Sequence, residues 1–424
     1  MNSKSWQLYI KKRHFPQWLS ISIFLIPFFL SVLMDFLHFP GVVKYAIDLA
    51  WITSLLFLFA GKCISIKKSI VPYVVFIAIW LLYVITVYAF RFQSVFYFLW
   101  GIRNNFRFYV AFIAFAVFLD KDEVSGLLEL VDWLFWINAV VSLVQFFVLG
   151  YRQDYLGGIF GVERGCNAYS MVLFAMVITR SLFLYFDGQE KTGVCLLKCG
   201  LSVIVAAMAE LKFFFILFIL MVILAMLMTK FSWRKFIVFL SIAVLTMFAG
   251  RILTIIFGAQ ETLSIQRILD LAKADNYATT EDLGRFTAIP TISQRIFKDW
   301  TDRLFGLGIG NCDTSAFAIC NTPFYQTYEH LHYSWFSSAF LFLETGYIGL
   351  ILNLLFYVVV MFGAIRRMKR NPDNALYCRM AVVFASICII LTFYNSALRK
   401  EAGYLAYFVL AIPFVTDQGY QLSE

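Results

Sequence analysis

The sequence predicts an all-α polytopic membrane protein with about 12 transmembrane helices of ~20 apolar residues each, and one large loop between spans nine and ten. Three observations lead there. Of 424 residues, 61% are hydrophobic and only 14% charged, against roughly 45–50% and about 25% in soluble domains. The apolar stretches are continuous, as in Ile21–Leu33, where a membrane β-barrel would alternate. The net charge is +9, and the Lys and Arg of the short loops are about twice as many on one side of the predicted spans as on the other, the bias of cytoplasmic loops. This composition excludes a soluble enzyme, a coiled coil, a disordered chain and a disulfide-stapled module.

The apolar runs place spans near residues 18–36, 42–60, 70–90, 105–119, 127–149, 166–185, 194–209, 212–229, 236–257, 346–364, 380–396 and 403–416. Polar residues interrupt the fourth, and the last is short. The first run follows a basic start without a small-residue cleavage site, so it is expected to stay in the membrane. No internal repeat is visible. With the N-terminus inside, cytoplasmic segments carry Lys11, Lys12 and Arg13, then Lys62, Lys67 and Lys68, then Lys230, Arg234 and Lys235, and finally Arg366, Arg367, Lys369, Arg370 and Arg379. Both termini are then cytoplasmic. The basic excess lacks any zinc-finger, helix-turn-helix or aromatic-basic pattern, so no nucleic acid is expected.

The chain divides into residues 1–257 with spans one to nine, 258–345 as an outer loop or cap, and 346–424 with the last three spans and a cytoplasmic tail. A loop of that length is usually functional or disordered. Its Trp300, Phe305, Phe324 and Tyr325 favour a small folded cap, with helices expected over Ile265–Ala272 and Ile292–Leu304.

Several cations remain on the outer face. Arg103 and Arg107 precede the fourth span, Arg152 and Arg164 lie in the 150–165 loop, and Arg285, Arg295 and Arg303 lie in the large loop. Each alone reads as an interfacial residue. As a set they suggest an anionic ligand, because the arginine fork binds two phosphate oxygens at once. Lys212 lies at a tight hairpin between two apolar runs, with Glu210 beside it. Ionisable residues at that depth are costly and usually functional, although an internal Glu210–Lys212 pair also accounts for them.

Two of the four histidines stand in Glu329-His330-Leu331-His332-Tyr333. No convincing third ligand accompanies them, so no metal is expected. An imidazole near its ordinary pKa of ~6.5 suits proton removal; a surface histidine at a helix start is the alternative. Gly306-Leu307-Gly308-Ile309-Gly310 reads as a tight turn, since no strand precedes it as a dinucleotide fingerprint requires. Cys312 and Cys320 are placed to pair in an oxidising compartment, but spacing leaves this open.

The order of these features resembles the bacterial O-antigen polymerase and O-antigen ligase superfamily of membrane glycosyltransferases. The resemblance rests on Gly284-Arg285-Phe286, Asp302-Arg303-Leu304-Phe305-Gly306-Leu307-Gly308, His332-Tyr333-Ser334-Trp335-Phe336 and Glu344-Thr345-Gly346, with Arg164-Gly165-Cys166-Asn167 and Glu210-Leu211-Lys212 upstream. Ligases commonly show His-Asn where this chain has His332-Tyr333, and Arg where it has Lys212, so polymerase is favoured over ligase. A transporter or flippase for the same lipid is a third reading; it would show repeats and broken helices.

The resemblance implies glycosyl transfer from undecaprenyl-pyrophosphate-linked oligosaccharide at the periplasmic face of the bacterial inner membrane, with no cofactor or metal. His332 would be the base, with Glu329 orienting it or competing for the role. Arg285, Lys212, Arg164 and Arg303 would hold the pyrophosphate; Asn167, Tyr333 and Glu210 would contact substrate. Inner-membrane lipid, a chain-length regulator and a flippase are the partners it implies.

Overall fold

The computed structural model describes residues 15–60, 69–230, 282–315 and 317–415, with scattered positions between 233 and 251. All regular structure among the described residues is helical. Eight helices come first: α1 (Phe15–Ser31), α2 (Ala46–Ala60), α3 (Val71–Phe90), α4 (Val95–Phe118), α5 (Lys121–Phe147), α6 (Asn167–Phe186), α7 (Thr192–Met208) and α8 (Lys212–Leu227). Three short ones follow: α9 (Ala288–Arg295), α10 (Trp300–Phe305) and α11 (Pro323–Tyr328). The chain ends with α12 (Ser337–Arg370), α13 (Ala375–Tyr394) and α14 (Ala402–Ala411).

Seven segments are long and apolar enough to cross a membrane: Phe15–Phe36, Gly41–Phe59, Val71–Phe90, Lys121–Phe147, Asn167–Phe186, Ser337–Arg370 and Pro372–Tyr394. Thr192–Met208, Lys212–Leu227 and Ala402–Phe414 are apolar but shorter. The ninth predicted span falls largely outside the described residues, as does the helix expected over Ile265–Ala272.

The helix ends follow local chemistry. Asp120 and Glu123 form a reciprocal cap on α5, with Glu123 N donating to Asp120 Oδ1 at 2.8 Å and Asp120 N donating to Glu123 Oε2 at 2.9 Å. This is the Asp-x-x-Glu form of the capping box. Ser94 caps α4, which therefore begins well before the predicted start at residue 105. Its two arginines do not prevent helix because both find partners. Arg103 Nη2 pairs with Asp48 Oδ2 at 2.7 Å, and Arg107 Nη2 donates to the Arg399 carbonyl at 2.9 Å.

Burial sorts the helices into a centre and a rim. Every residue of α14 is buried, and the helix is apolar on all sides, the pattern of a fully enclosed element. It packs against α4, α6 and α13. By contrast, α2, α3 and α5 expose Leu49, Phe59, Leu82, Phe90, Trp133 and Phe147, the apolar outer surface expected against lipid.

Residues 282–315 and 317–336 fold over one end of the bundle, as a cap around Leu283, Ile292, Phe297, Tyr333 and Phe340. The expected helix over Ile292–Leu304 is two helices, because Phe297–Asp299 breaks between α9 and α10. The glycine turn that follows wraps a buried carboxylate. Gly310 N donates to Glu344 Oε1 at 2.9 Å, and Gly308 N to the Glu344 carbonyl at 3.0 Å. Glu344 has no exposed surface. Gly346, at φ 64°, kinks α12 directly after it, where a Cβ would collide with the Leu304 carbonyl. That conformation and that approach both require glycine.

Candidate functional site

Beneath the cap lies a cavity of about 270 Å³. Its lining comes from five separated stretches: Asp154 to Ala168, Glu210 to Phe213, Arg285, Trp335 with Phe336, and Tyr394 to Lys400. Four residues singled out in the sequence therefore meet here: Arg164, Asn167, Glu210 and Arg285.

Arg164 is the most exposed of them, 4.0 Å from Asp154 and 5.5 Å from the centre of the Trp335 ring. Arg285 lies 4.2 Å over the Tyr394 ring, and Tyr394 is itself stacked on Phe213 at 3.8 Å. A flat aromatic face thus packs against the Arg285 guanidinium and another stands near that of Arg164, an arrangement lysine does not reproduce. Asn167 opens α6; its amide donates to the Ala209 carbonyl at 3.1 Å and to Asp154 Oδ1 at 3.2 Å. Those bonds tie the 154–167 loop to the α7–α8 hairpin.

At that hairpin Glu210 adopts the left-handed conformation, φ 55°, and its carboxylate pairs with Lys212 Nζ at 2.9 Å. Glu210 lines the cavity and holds Lys212, so the internal pair exists and the cation stands one step back from the cavity.

His332 occupies another left-handed position, φ 50°, between two 3₁₀ turns. It does not begin the following helix, which starts at Ser337. Its Nδ1 lies 2.6 Å from Oδ1 of Asp282, whose side chain is fully buried while the imidazole is 38% exposed. An ionised carboxylate only accepts, so Nδ1 presents a hydrogen to it, and in the neutral form of the ring Nε2 keeps the lone pair. The ring stacks on Trp335 at 4.1 Å; Trp335 lines the cavity, and His332 stands behind it, outside the lining.

Three of the expected site residues lie elsewhere. Glu329 does not orient His332; it faces the Tyr325 hydroxyl, whose pKa is raised by burial first and by the Glu329 charge second. Asp282 takes the place expected of Glu329. Tyr333 is buried in the cap, donating to the Cys312 carbonyl at 2.5 Å. Arg303 joins α9 to α10, its Nε donating to the Ser293 carbonyl at 3.1 Å while the guanidinium lies 5.1 Å from the Trp300 ring. Cys312 and Cys320 are both free thiols. Among the described residues no group of three His, Cys, Asp or Glu side chains is arranged for a metal ion.

The segment Asn395–Glu401 was not recognised in the sequence as part of the site. Its Lys400 lines the 270 Å³ cavity and also an adjoining one of about 520 Å³, which shares Arg164 and Gly165. The second cavity adds Asp35, Lys44, Glu163 and Glu401. The segment is held firmly. The Asn395 carbonyl accepts from Ser337 Oγ at 2.8 Å and Ser337 N at 3.1 Å. Glu401 accepts from the Tyr169 hydroxyl at 2.7 Å. Arg399 turns the other way, 3.9 Å from Asp313 Oδ2, and burial lowers its pKa despite the nearby carboxylates. Only the arrangement in space marks Lys400 out; its local sequence is that of an ordinary loop between two apolar helices.

The site therefore offers three cations, Arg164, Arg285 and Lys400, around one cavity, beside an imidazole oriented by a carboxylate. Such cations stabilise a phosphate or pyrophosphate without reorganising, and such an imidazole accepts a proton. A comparison with protein families and with curated proteins finds no match to this chain.

Proposed function

We propose that the protein is a polymerase of undecaprenyl-pyrophosphate-linked oligosaccharide repeat units, acting at the periplasmic face of the inner membrane by metal-independent, inverting glycosyl transfer. The observation that carries this reading is the meeting of Arg164, Arg285 and Lys400 around one cavity beside the His332–Asp282 pair. On this reading the chain crosses the membrane about 12 times at ~20 residues per span, both termini are cytoplasmic, and residues 258–345 face the periplasm.

The acceptor hydroxyl gives its proton to His332 Nε2 as its oxygen attacks the anomeric carbon of the donor glycan. The bond from that carbon to the pyrophosphate oxygen breaks, and undecaprenyl pyrophosphate leaves with the electron pair. Asp282 holds the imidazole in the accepting tautomer and stabilises the imidazolium that forms, the division of labour found in hydrolytic triads. Arg164, Arg285 and Lys400 meet the charge that grows on the leaving group, and they count most where that charge is greatest. Glu210 keeps Lys212 near the same field. Attack opposite the leaving group inverts the anomeric centre.

Deleting the gene and separating the surface glycan by electrophoresis tests the reading. Loss of the ladder with one repeat unit still attached supports polymerase. Loss of all attached glycan, with polymer accumulating on the lipid carrier, would identify a ligase instead.

A further inference from the structure

The largest cavity among those described lies at the other end of the bundle. It measures about 590 Å³ and is lined by Arg366, Arg367 and Arg370 together with Tyr73, Phe362 and Phe414. From Gly346 to Arg370, α12 rises about 36 Å at ~1.5 Å per residue, close to the ~30 Å of a bilayer's hydrocarbon core. The three arginines therefore stand at the interface opposite the cap.

Among the described residues, their surroundings are not those of an internal ion pair. Among the described residues, no hydrogen bond or ion pair engages the side chain of Arg366 or Arg370, and Arg367 reaches only the Val415 carbonyl, at 3.5 Å. The C-terminal end of α12 favours positive charge, but that effect is satisfied by one or two cations and does not call for a cavity. The wall beside the arginines is apolar. Phe362 is 63% exposed on the flank of the helix, and Gly363 leaves room for the Tyr73 ring, whose hydroxyl touches the position a Cβ would occupy. A concave site with guanidinium groups at one edge and aromatic rings along the other matches an anion carried on a hydrocarbon tail.

We infer that this cavity binds the phosphate headgroup of an anionic phospholipid, with the arginines on the phosphate and the acyl chains along Phe362. Basic pockets between membrane helices bind anionic headgroups in this way. A soluble phosphate would meet the same arginines but has no use for the apolar wall, so the lipid is the occupant. The site is separate from the glycan chemistry and stands whether or not the transferase reading holds.

The test uses the full-length purified protein in detergent. Native mass spectrometry and thermal unfolding are measured with dioleoylphosphatidylglycerol, dioleoylphosphatidylcholine or inorganic phosphate added. Phosphatidylglycerol should be retained and should raise the unfolding midpoint; the other two should do neither. Arg366→Gln and Arg370→Gln should each weaken phosphatidylglycerol binding roughly fivefold, and the double variant roughly 25-fold, from the ~1 kcal/mol per basic residue typical of anionic surfaces. Arg366→Lys should retain most of the binding. Equal retention of phosphatidylcholine, displacement of phosphatidylglycerol by inorganic phosphate at comparable concentration, or wild-type lipid binding by a folded double variant would each overturn the inference.

Discussion

Asp282→Asn isolates the feature of the site on which the proposed chemistry most depends. The carboxylate is fully buried and lies 2.6 Å from His332 Nδ1. Asparagine keeps the size and an oxygen but presents an NH₂ group as well, so the imidazole is free to take the other tautomer with its Nε2 protonated. The base is then blocked although nothing has moved. A general base contributes roughly 10²–10⁴-fold, and a loss in kcat of that order is expected, with the KM for the lipid-linked donor nearly unchanged. Stability should fall by about 1 kcal/mol or less, because the hydrogen bond is altered and not left unmade. The assay is release of undecaprenyl pyrophosphate from a defined lipid-linked repeat unit, with circular dichroism as the folding control. Glu329→Gln is the matched comparison and should be near wild type, since Glu329 faces Tyr325. A folded Asp282→Asn protein with normal kcat, beside an inactive Glu329→Gln protein, would refute the assignment of the pair.

Lys400→Ala should lower kcat/KM for the donor roughly 10- to 100-fold, the range of a charge-assisted hydrogen bond, whereas Arg303→Ala should leave turnover intact and cost about 0.5–1.5 kcal/mol of stability in denaturant titration; the opposite ranking would return Arg303 to the site. Burial first, then the charges of Glu344 and Asp313, hold the Cys312 thiol well above its usual pKa, so alkylation of the folded protein near neutral pH, read by mass spectrometry, should leave Cys312 unmodified. On the proposed reading the purified protein should lengthen glycan in excess chelator, and activity restored specifically by Mg²⁺ or Mn²⁺ would contradict the proposed metal independence.

Most helices were legible because lipid-facing and core-facing residues are both apolar, so a spanning helix reads as one continuous run. The errors arose where polar residues belong to the interior. The start of α4 was misplaced because Arg103 and Arg107 read as loop residues until Asp48 and the Arg399 carbonyl are seen to receive them. Of the site, Arg164, Asn167, Glu210 and Arg285 were visible as polar residues out of place. Asp282 was not, since it stands fifty positions from His332 and nothing local links them. Lys400 was hidden for the same reason. Glu344 was noticed only as part of a motif, and its function as the carboxylate around which the glycine turn folds depends on a contact no local pattern reveals.

The most direct measurement reconstitutes the reaction with purified full-length protein and an undecaprenyl-pyrophosphate-linked repeat unit as both donor and acceptor, in detergent and without added metal. The expected result is glycan lengthened by whole repeat units, with one undecaprenyl pyrophosphate released per addition and both lost in Arg285→Ala. A wild-type protein that releases no undecaprenyl pyrophosphate, moves the intact lipid-linked glycan across a bilayer, or transfers glycan only when lipid A–core is supplied would contradict it.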